Sequence, residues 1–185
     1  MRIIAGKYQR RILHPPANLP VRPTTDLAKE ALFNIINNHF DFEGLRVIDL
    51  FAGTGSISYE FASREAAEVI AVENHFKCID FIQQTIRELK LENLKVVRAD
   101  VFRFLSYCRP GFDLIFADPP YDMEGMEKIP QQVFERELLA EGGWLVMEHP
   151  ARKKFEQYPY FVQERKYGRV HFSVFEKTRS QPKPN

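Results

Sequence analysis

Cysteine is scarce in this sequence, and the spacings that would give it a role are missing. The chain of 185 residues has two cysteines, Cys78 and Cys108, which lie far apart. It contains neither a Cys-x-x-Cys nor a His-Glu-x-x-His spacing. A disulfide framework and a zinc site of these kinds are therefore not indicated, and we expect no metal cofactor.

Long apolar runs are also lacking. No stretch approaches the roughly 20 apolar residues that cross a bilayer, and the apolar part of Met1–Lys7 is too short for a secretory signal. Glycine is limited to 9 residues, whereas 44% of the chain is apolar, which favours one compact core. We expect a soluble, cytoplasmic, monomeric protein that does not contact membranes.

Acidic residues are absent from the first 22 positions. Residues 152–185 carry nine basic and three acidic residues, whereas residues 23–151 carry 12 and 22. A basic arm beside an acidic core suits contact with phosphates, although a plain surface hairpin is the alternative. Alternating apolar and basic residues predict a short strand pair around Gly6. We predict RNA contact for the five basic residues of the arm, which are Arg2, Lys7, Arg10, Arg11 and Arg22.

Strand and helix patterns alternate through the middle of the chain. A first helix, capped by Thr25, is predicted to bury Leu27, Ala31, Leu32, Ile35 and Ile36. Strands are predicted at 46–50, 68–73, 94–99, 112–117 and 143–148, with helices at 56–64, 75–90, 101–107 and 127–139. Two further strands, 160–166 and 169–176, join through Gly168. The pattern predicts an α/β, Rossmann-like fold: a mostly parallel sheet of seven strands, helices on both faces and an antiparallel pair at one edge.

The apolar run 112–117 ends in Asp118-Pro119-Pro120-Tyr121. Because proline lacks a backbone N–H, this strand end presents a carboxylate, free carbonyl groups and an aromatic ring at one point. Asp118 and the Pro119 carbonyl can accept hydrogen bonds from an exocyclic amine while the Tyr121 ring stacks on the base. We therefore predict a catalytic site for a planar base at these four residues. The alternative is a turn enforced by proline, with Tyr121 in the core.

A second motif lies upstream, where the apolar strand Arg46-Val-Ile-Asp49 continues into Leu-Phe-Ala-Gly53-Thr-Gly55. The glycine pair lets the backbone approach a ligand that faces the N–H groups of the next helix. The following strand ends on Glu73, 20 residues after Gly53. This is the spacing typical of an acid that binds a ribose diol. The predicted cofactor residues are Asp49, Phe51, Ala52, Gly53, Thr54, Gly55, Glu73, Asn74, Asp100, Val101 and Asp118. Core packing is the alternative for Phe51.

These features also fit a dinucleotide oxidoreductase, because Ser58 is tolerable where that fingerprint has a third small residue. Asp49 separates the two cofactors, since a carboxylate at the loop repels a pyrophosphate and attracts an ammonium or sulfonium. S-adenosylmethionine carries both cations and is the predicted cofactor. Asp49 and the glycine loop would hold its methionine part, Glu73 its ribose, and Asp100 with Val101 its adenine.

The sequence resembles the RsmD-type family of 16S rRNA guanine-N2 methyltransferases from the N-terminus to about residue 176. The resemblance rests on Met1–Lys7, on the segment Arg22–Asn34 and on the two motifs above. Lys29 stands where arginine is frequent in the family, and Tyr121 where some members have phenylalanine. We predict a basic N-terminal arm at 1–22, a class I methyltransferase domain at 23–178 and a disordered tail at 179–185. The resemblance implies methyl transfer to a guanine N2 of small-subunit rRNA, either free or in an assembling subunit.

Other functions use similar residues. A DNA adenine-amino methyltransferase shares the four-residue motif, but no gap between the predicted elements is long enough for a sizeable target-recognition insert. Protein glutamine methyltransferases usually resemble Asn-Pro-Pro-Tyr, whereas this chain has Asp118. A non-catalytic, cofactor-dependent RNA-binding or assembly factor is a further alternative, which would bind the cofactor without transferring methyl groups.

Overall fold

The computed structural model describes residues 1–19, 21 and 24–178, and in this part of the chain seven strands form one sheet. The strands are β1 (Arg46–Asp49), β2 (Glu68–Glu73), β3 (Leu94–Arg98), β4 (Phe112–Ala117), β5 (Leu139–His149), β6 (Phe161–Tyr167) and β7 (Val170–Glu176). The helices are α1 (Asp26–Asn37), α2 (Ser56–Ser63), α3 (Phe76–Leu89), α4 (Val101–Tyr107) and α5 (Lys128–Glu135). None of the helices in the described residues has both the length and the apolar character that crossing a membrane requires.

The sheet has the order β3-β2-β1-β4-β5-β7-β6. Strands β1 to β5 are parallel, whereas β7 runs antiparallel to both β5 and β6. Helices cover both faces of the sheet, so that successive strand residues pack into separate hydrophobic cores. Val47 packs with α1, α2 and α3 on one face, whereas Ile48 packs with α4 and α5 on the other. The predicted fold class is therefore confirmed.

Helix α5 is shorter than predicted and β5 is longer. The prediction extended the helix to residue 139, but α5 ends at Glu135 and Leu139 already belongs to β5. The backbone of Glu137 has a φ of 50°, in the left-handed region that terminates a helix. The chain then reverses, and Leu139 pairs with Phe112 of β4.

Helix α1 begins as predicted and buries four of the five predicted residues, Ala31, Leu32, Ile35 and Ile36. The Thr25 hydroxyl accepts a hydrogen bond from the Ala28 N–H (3.2 Å), which caps the helix. The prediction that Leu27 is buried is wrong, since its side chain is 73% exposed. The buried side of the helix includes Lys29, which is 1% exposed.

The N-terminal segment is held to α2 by its backbone. A strand pair was predicted around Gly6, but only one isolated bridge, Arg2 to Ile12, forms in the described residues. Gly6 has a φ of 82°, and a Cβ there would lie 1.9 Å from the Ser63 carbonyl oxygen, so no other residue fits. The Ile3 side chain, 2% exposed, joins the core beneath.

Candidate active site

A cavity of about 870 Å³ opens at the carboxyl ends of the parallel strands. It lies where the strand order reverses between β1 and β4, the usual ligand position in open α/β sheets. Most of the predicted site residues line it together: Phe51, Ala52, Gly53, Thr54, Glu73, Asn74, Asp100, Val101, Asp118, Pro119, Pro120 and Tyr121. Asp49 and Gly55 are not part of this lining.

Asp49 lies beneath the cavity floor at the end of β1 and is 1% exposed. Its Oδ2 accepts a hydrogen bond from the Ser58 hydroxyl (2.7 Å), whereas its buried Oδ1 has no partner in the described residues. Burial raises the pKa of Asp49 to about 7, although the Ser58 bond opposes the shift. The backbone N–H groups of Phe51 and Ser58 also lower the pKa of this carboxyl, but neither satisfies Oδ1 by hydrogen-bond geometry, and an unpartnered buried acceptor is unusual in a folded protein.

The glycine loop follows β1 and is shaped by close contacts. Gly55 has a φ of 83°, and a Cβ there would lie 2.6 Å from the Tyr59 ring. The Gly53 N–H donates a hydrogen bond to Glu73 Oε2 (2.8 Å), which ties the loop to the end of β2. Gly55 therefore shapes the loop, while Gly53 and Thr54 face the cavity.

The next two strand ends each present an acid that also organises the local backbone. Glu73 Oε1 accepts hydrogen bonds from the N–H groups of Asn74 and His75, both at 2.8 Å. Asp100 caps α4 by accepting a hydrogen bond from the Arg103 N–H (3.0 Å). Both carboxylates are thereby fixed at the cavity wall.

Asp118 follows β4 directly and lies beside a second acid, Glu148 of β5. Desolvation raises the pKa of Asp118 to about 8, and the charges of Glu148 and Asp49 act in the same direction. Burial also raises the pKa of Glu148. The Tyr121 hydroxyl donates a hydrogen bond to Glu148 Oε1 (2.8 Å), and the Arg152 guanidinium donates one to the Tyr121 carbonyl oxygen.

The cavity is strongly acidic. Five carboxylate side chains line it, and none of its described lining residues is lysine or arginine; the acids are Glu73, Asp100, Asp118, Asp122 and Glu148. Such a surface attracts a cation and repels a pyrophosphate. The observation favours a sulfonium cofactor over a dinucleotide.

Several lining residues were not predicted. Glu148 could have been found from the sequence, because it is one more acid near the end of a predicted strand. His75 also lines the cavity, and its buried Nδ1 has no hydrogen-bond partner within the described residues. Thr24, Thr25 and Ala28 reach the cavity from α1 and the segment before it, which no local pattern indicates. In the part of the chain that the structure describes, no cluster of His, Cys, Asp and Glu could hold a metal ion.

Comparison with known proteins places the chain in a family. The family model described as conserved hypothetical protein 95 matches residues 1–176. YlbH of Bacillus subtilis (strain 168), named provisionally as an rRNA methyltransferase, is 37% identical over 153 residues, covering 80% of this chain and 82% of YlbH. Ribosomal RNA small subunit methyltransferase D of Escherichia coli (strain K12) is 30% identical over 148 residues, covering 80% and 71% of the two chains.

The chain belongs to the RsmD family of methyltransferases. The solved structure of yhhF from Escherichia coli, named provisionally as a methyltransferase, superposes on this chain with a TM-score of 0.84 at 25% sequence identity. The superposition covers 97% of this chain and 99% of yhhF. The family and the Rossmann-like methyltransferase fold are thus confirmed.

The basic residues predicted to contact RNA in this RsmD-family chain differ in their surroundings. Arg2 is paired with Asp26 (3.1 Å) and Glu30 (3.8 Å) of α1. Lys7, Arg10 and Arg11 are exposed and form no ion pair with the described residues. Arg22, the fifth predicted RNA contact, and the predicted tail at 179–185 lie outside the described residues.

Proposed function

We propose that this chain transfers a methyl group from S-adenosylmethionine to the exocyclic N2 amine of a guanine in small-subunit rRNA. Membership of the RsmD family and the rRNA methyltransferases among its relatives support methylation of rRNA. The observation that carries the choice of an amine is the partly buried Asp118 carboxyl group, which lines an acidic cavity together with Pro119 and Tyr121.

The cavity residues fit the proposed cofactor. S-adenosylmethionine supplies a methyl group on a sulfonium, next to an ammonium, a ribose and an adenine. Glu73 suits the ribose hydroxyls, and Asp100 with Val101 suits the adenine edge. The unpartnered Oδ1 of Asp49 and the negative field of the cavity suit the ammonium and the sulfonium.

Asp118 has two tasks in the proposed reaction. The lone pair of the guanine amine is delocalised into the ring, so the amine is a poor nucleophile that has to be oriented. Asp118 and the Pro119 carbonyl accept hydrogen bonds from its two protons, which aims the lone pair at the methyl carbon and stabilises the developing charge. In its ionised form, which a bound sulfonium would favour, Asp118 can also accept the proton that the nitrogen loses after transfer.

Tyr121 would receive the base. A guanine in a stacked helix cannot reach the cavity, so the target has to lie in a loop or be swung out. The Tyr121 ring, 40% exposed at the cavity wall, can then replace the lost stacking. Lys7, Arg10 and Arg11 would contact the phosphates around it.

The test is single-turnover methylation of unmodified small-subunit rRNA and of small-subunit particles, with labelled cofactor and mapping of the product. We expect label on guanine N2. Asp118→Ala should lower the rate at least about a hundredfold, as when one transition-state hydrogen bond is lost. Its cofactor affinity should change much less than its rate.

Glu124→Ala is the matched control, because Glu124 is an exposed acid close by that does not line the cavity. Its rate should equal that of the parent. Label on adenine in DNA would favour the DNA methyltransferase alternative, and cofactor binding without transfer to any RNA would favour a non-catalytic assembly factor. A near-parental rate for Asp118→Ala would overturn the mechanism.

A further inference from the structure

Glu148 is buried at the cavity without a complete set of partners. Its side chain is 7% exposed and lines the cavity. One oxygen accepts a hydrogen bond from the Tyr121 hydroxyl at 2.8 Å, whereas the other forms no hydrogen bond with the described part of the chain. A carboxylate oxygen can accept more than one hydrogen bond, so Glu148 retains acceptor capacity that a ligand in the cavity can use.

Strand register holds this acid beside Asp118. In the parallel pair of β4 and β5, Ala117 is opposite Met147, so the next residues along the two strands, Asp118 and Glu148, are neighbours. The backbone of Glu148 is also paired with Phe172 of β7 on its other side. A residue inside a central strand is held more firmly than one on a loop.

The two adjacent carboxylates, Asp118 and Glu148, match the hydrogen-bonding edge of guanine better than that of other purines. Guanine presents two neighbouring donor groups, the N1–H and the 2-amino group. A purine with an unprotonated N1 presents an acceptor beside its amine. A polar site discriminates strongly when the wrong partner leaves a buried group unpaired, and a carboxylate facing a ring nitrogen lone pair is also repelled.

We propose that Glu148 is a specificity-determining residue that accepts a hydrogen bond from the N1–H of the target guanine while Asp118 accepts one from its 2-amino group. The inference rests on the proposed function and deepens it, because it explains selection of guanine at the same site. The two acids disfavour each other's charge in the free protein, since Glu148 raises the pKa of Asp118. Two or more donors from one base would relieve that repulsion.

The experiment compares two rRNA substrates, one with guanine and one with 2,6-diaminopurine at the mapped target. Both carry the reacting 2-amino group, but diaminopurine has an acceptor at N1. We expect the parent to prefer guanine by at least about a hundredfold in kcat/KM. Glu148→Gln should reduce this preference at least about tenfold, because the glutamine amide can donate to N1 of diaminopurine.

Tyr121→Phe is the control for a merely structural role. It removes the same tyrosine–glutamate hydrogen bond but keeps the carboxylate and the stacking ring, so any change in rate should be equal for the two substrates and the preference should stay unchanged. If Glu148→Gln does not fold, Glu148→Asp, which keeps the charge but withdraws it from the base, should also lower the preference.

The outcomes separate the two proposals. If the parent methylates guanine N2 but Glu148→Gln slows both substrates equally, Glu148 only positions Tyr121 and the specificity inference is wrong. A parent that does not distinguish the two bases also overturns the specificity inference. If the parent methylates no guanine N2 in any small-subunit substrate, the proposed function fails, and the role of Glu148 fails with it.

Discussion

Two clusters of largely buried charge are built in opposite ways. The first contains Lys29, Glu60 and Arg64 beneath the N-terminal segment. The second contains Asp118, Glu148 and Asp49 at the cavity. The first cluster combines both signs of charge, whereas the second contains acids alone.

The first cluster is internally satisfied. Glu60 is fully buried and accepts hydrogen bonds from the N–H groups of Ile4 (2.8 Å) and Ala5 (2.9 Å) as well as from Arg64 Nε (3.1 Å). Lys29 donates hydrogen bonds to the Arg2 carbonyl oxygen and to Ser56 Oγ (3.3 Å). Burial lowers the pKa of Lys29, and the nearby Glu60 carboxylate opposes that shift. These charges attach the N-terminal segment to α1 and α2.

The second cluster is satisfied only in part. Asp49 has an oxygen without a partner, and Glu148 accepts a single hydrogen bond from the described residues. Their pKa values, like that of Asp118, are raised by burial, so the free protein is less stable where these acids ionise. The compensated charges thus hold segments of the fold together, whereas the uncompensated charges mark a candidate ligand site.

The largest effect should come from breaking the compensated cluster. Glu60→Gln leaves Lys29 without a buried counter-charge and turns an amide toward two backbone N–H donors. The free energy of unfolding should fall by about 3–5 kcal/mol, as when one partner of a buried pair is lost. Urea denaturation measures it.

Glu156→Gln is the matched control for that change. Glu156 forms an exposed pair with Lys154 at 4.0 Å. Its removal should change the free energy of unfolding by less than about 0.5 kcal/mol. Similar values for the two variants would mean that burial of the first cluster adds nothing.

Removing an acid from the second cluster should instead raise the free energy of unfolding. Asp118→Asn removes a carboxyl that ionises at an ordinary pKa of about 4 when unfolded but at about 8 in the folded protein. In the parent, the stability that the protonated Asp118 carboxyl contributes is fully present below the unfolded pKa. It is lost as pH rises through the folded pKa. The variant should therefore gain about 1–3 kcal/mol over the parent near pH 8.

Thermal denaturation across pH, without cofactor, measures this gain. It should be small near about pH 3, where the carboxyl is largely protonated in both states, and should grow as pH rises to about 8. The same variant should retain only part of the parental methylation activity, between those of Asp118→Ala and the parent. A stability difference that is constant with pH would show that Asp118 is not strained by its neighbours.

Sequence patterns predicted the acidic residues at the strand ends, but they did not predict the buried cluster of opposite charges around Lys29. Asp49, Glu73 and Asp118 could be identified because each ends an apolar run, and parallel strands bring such ends together. The burial of Lys29 could not be predicted, since lysine on an amphipathic helix is normally exposed. Its partners, the Arg2 carbonyl and Glu60, come from distant segments that only tertiary packing brings close.

The smallest expected effect is on the salt dependence of RNA binding, where surface arginines with and without an ion pair should differ. Arg2 already contacts Asp26 and Glu30, whereas Arg10 and Arg11 have no ion pair among the described residues. Exchanging Arg10 and Arg11 together for glutamine should flatten the salt dependence of RNA binding by about 0.7–2 units of slope.

Arg2→Gln should change that slope by less than about half a unit, because neighbouring acids already neutralise this charge. RNA affinity measured over a series of salt concentrations compares the two variants, and cofactor affinity should stay unchanged in both. Equal slopes for the parent and the double variant would make the N-terminal segment a plain surface hairpin. A larger loss for Arg2→Gln would reverse the comparison, since a paired arginine would then be the one that contacts RNA.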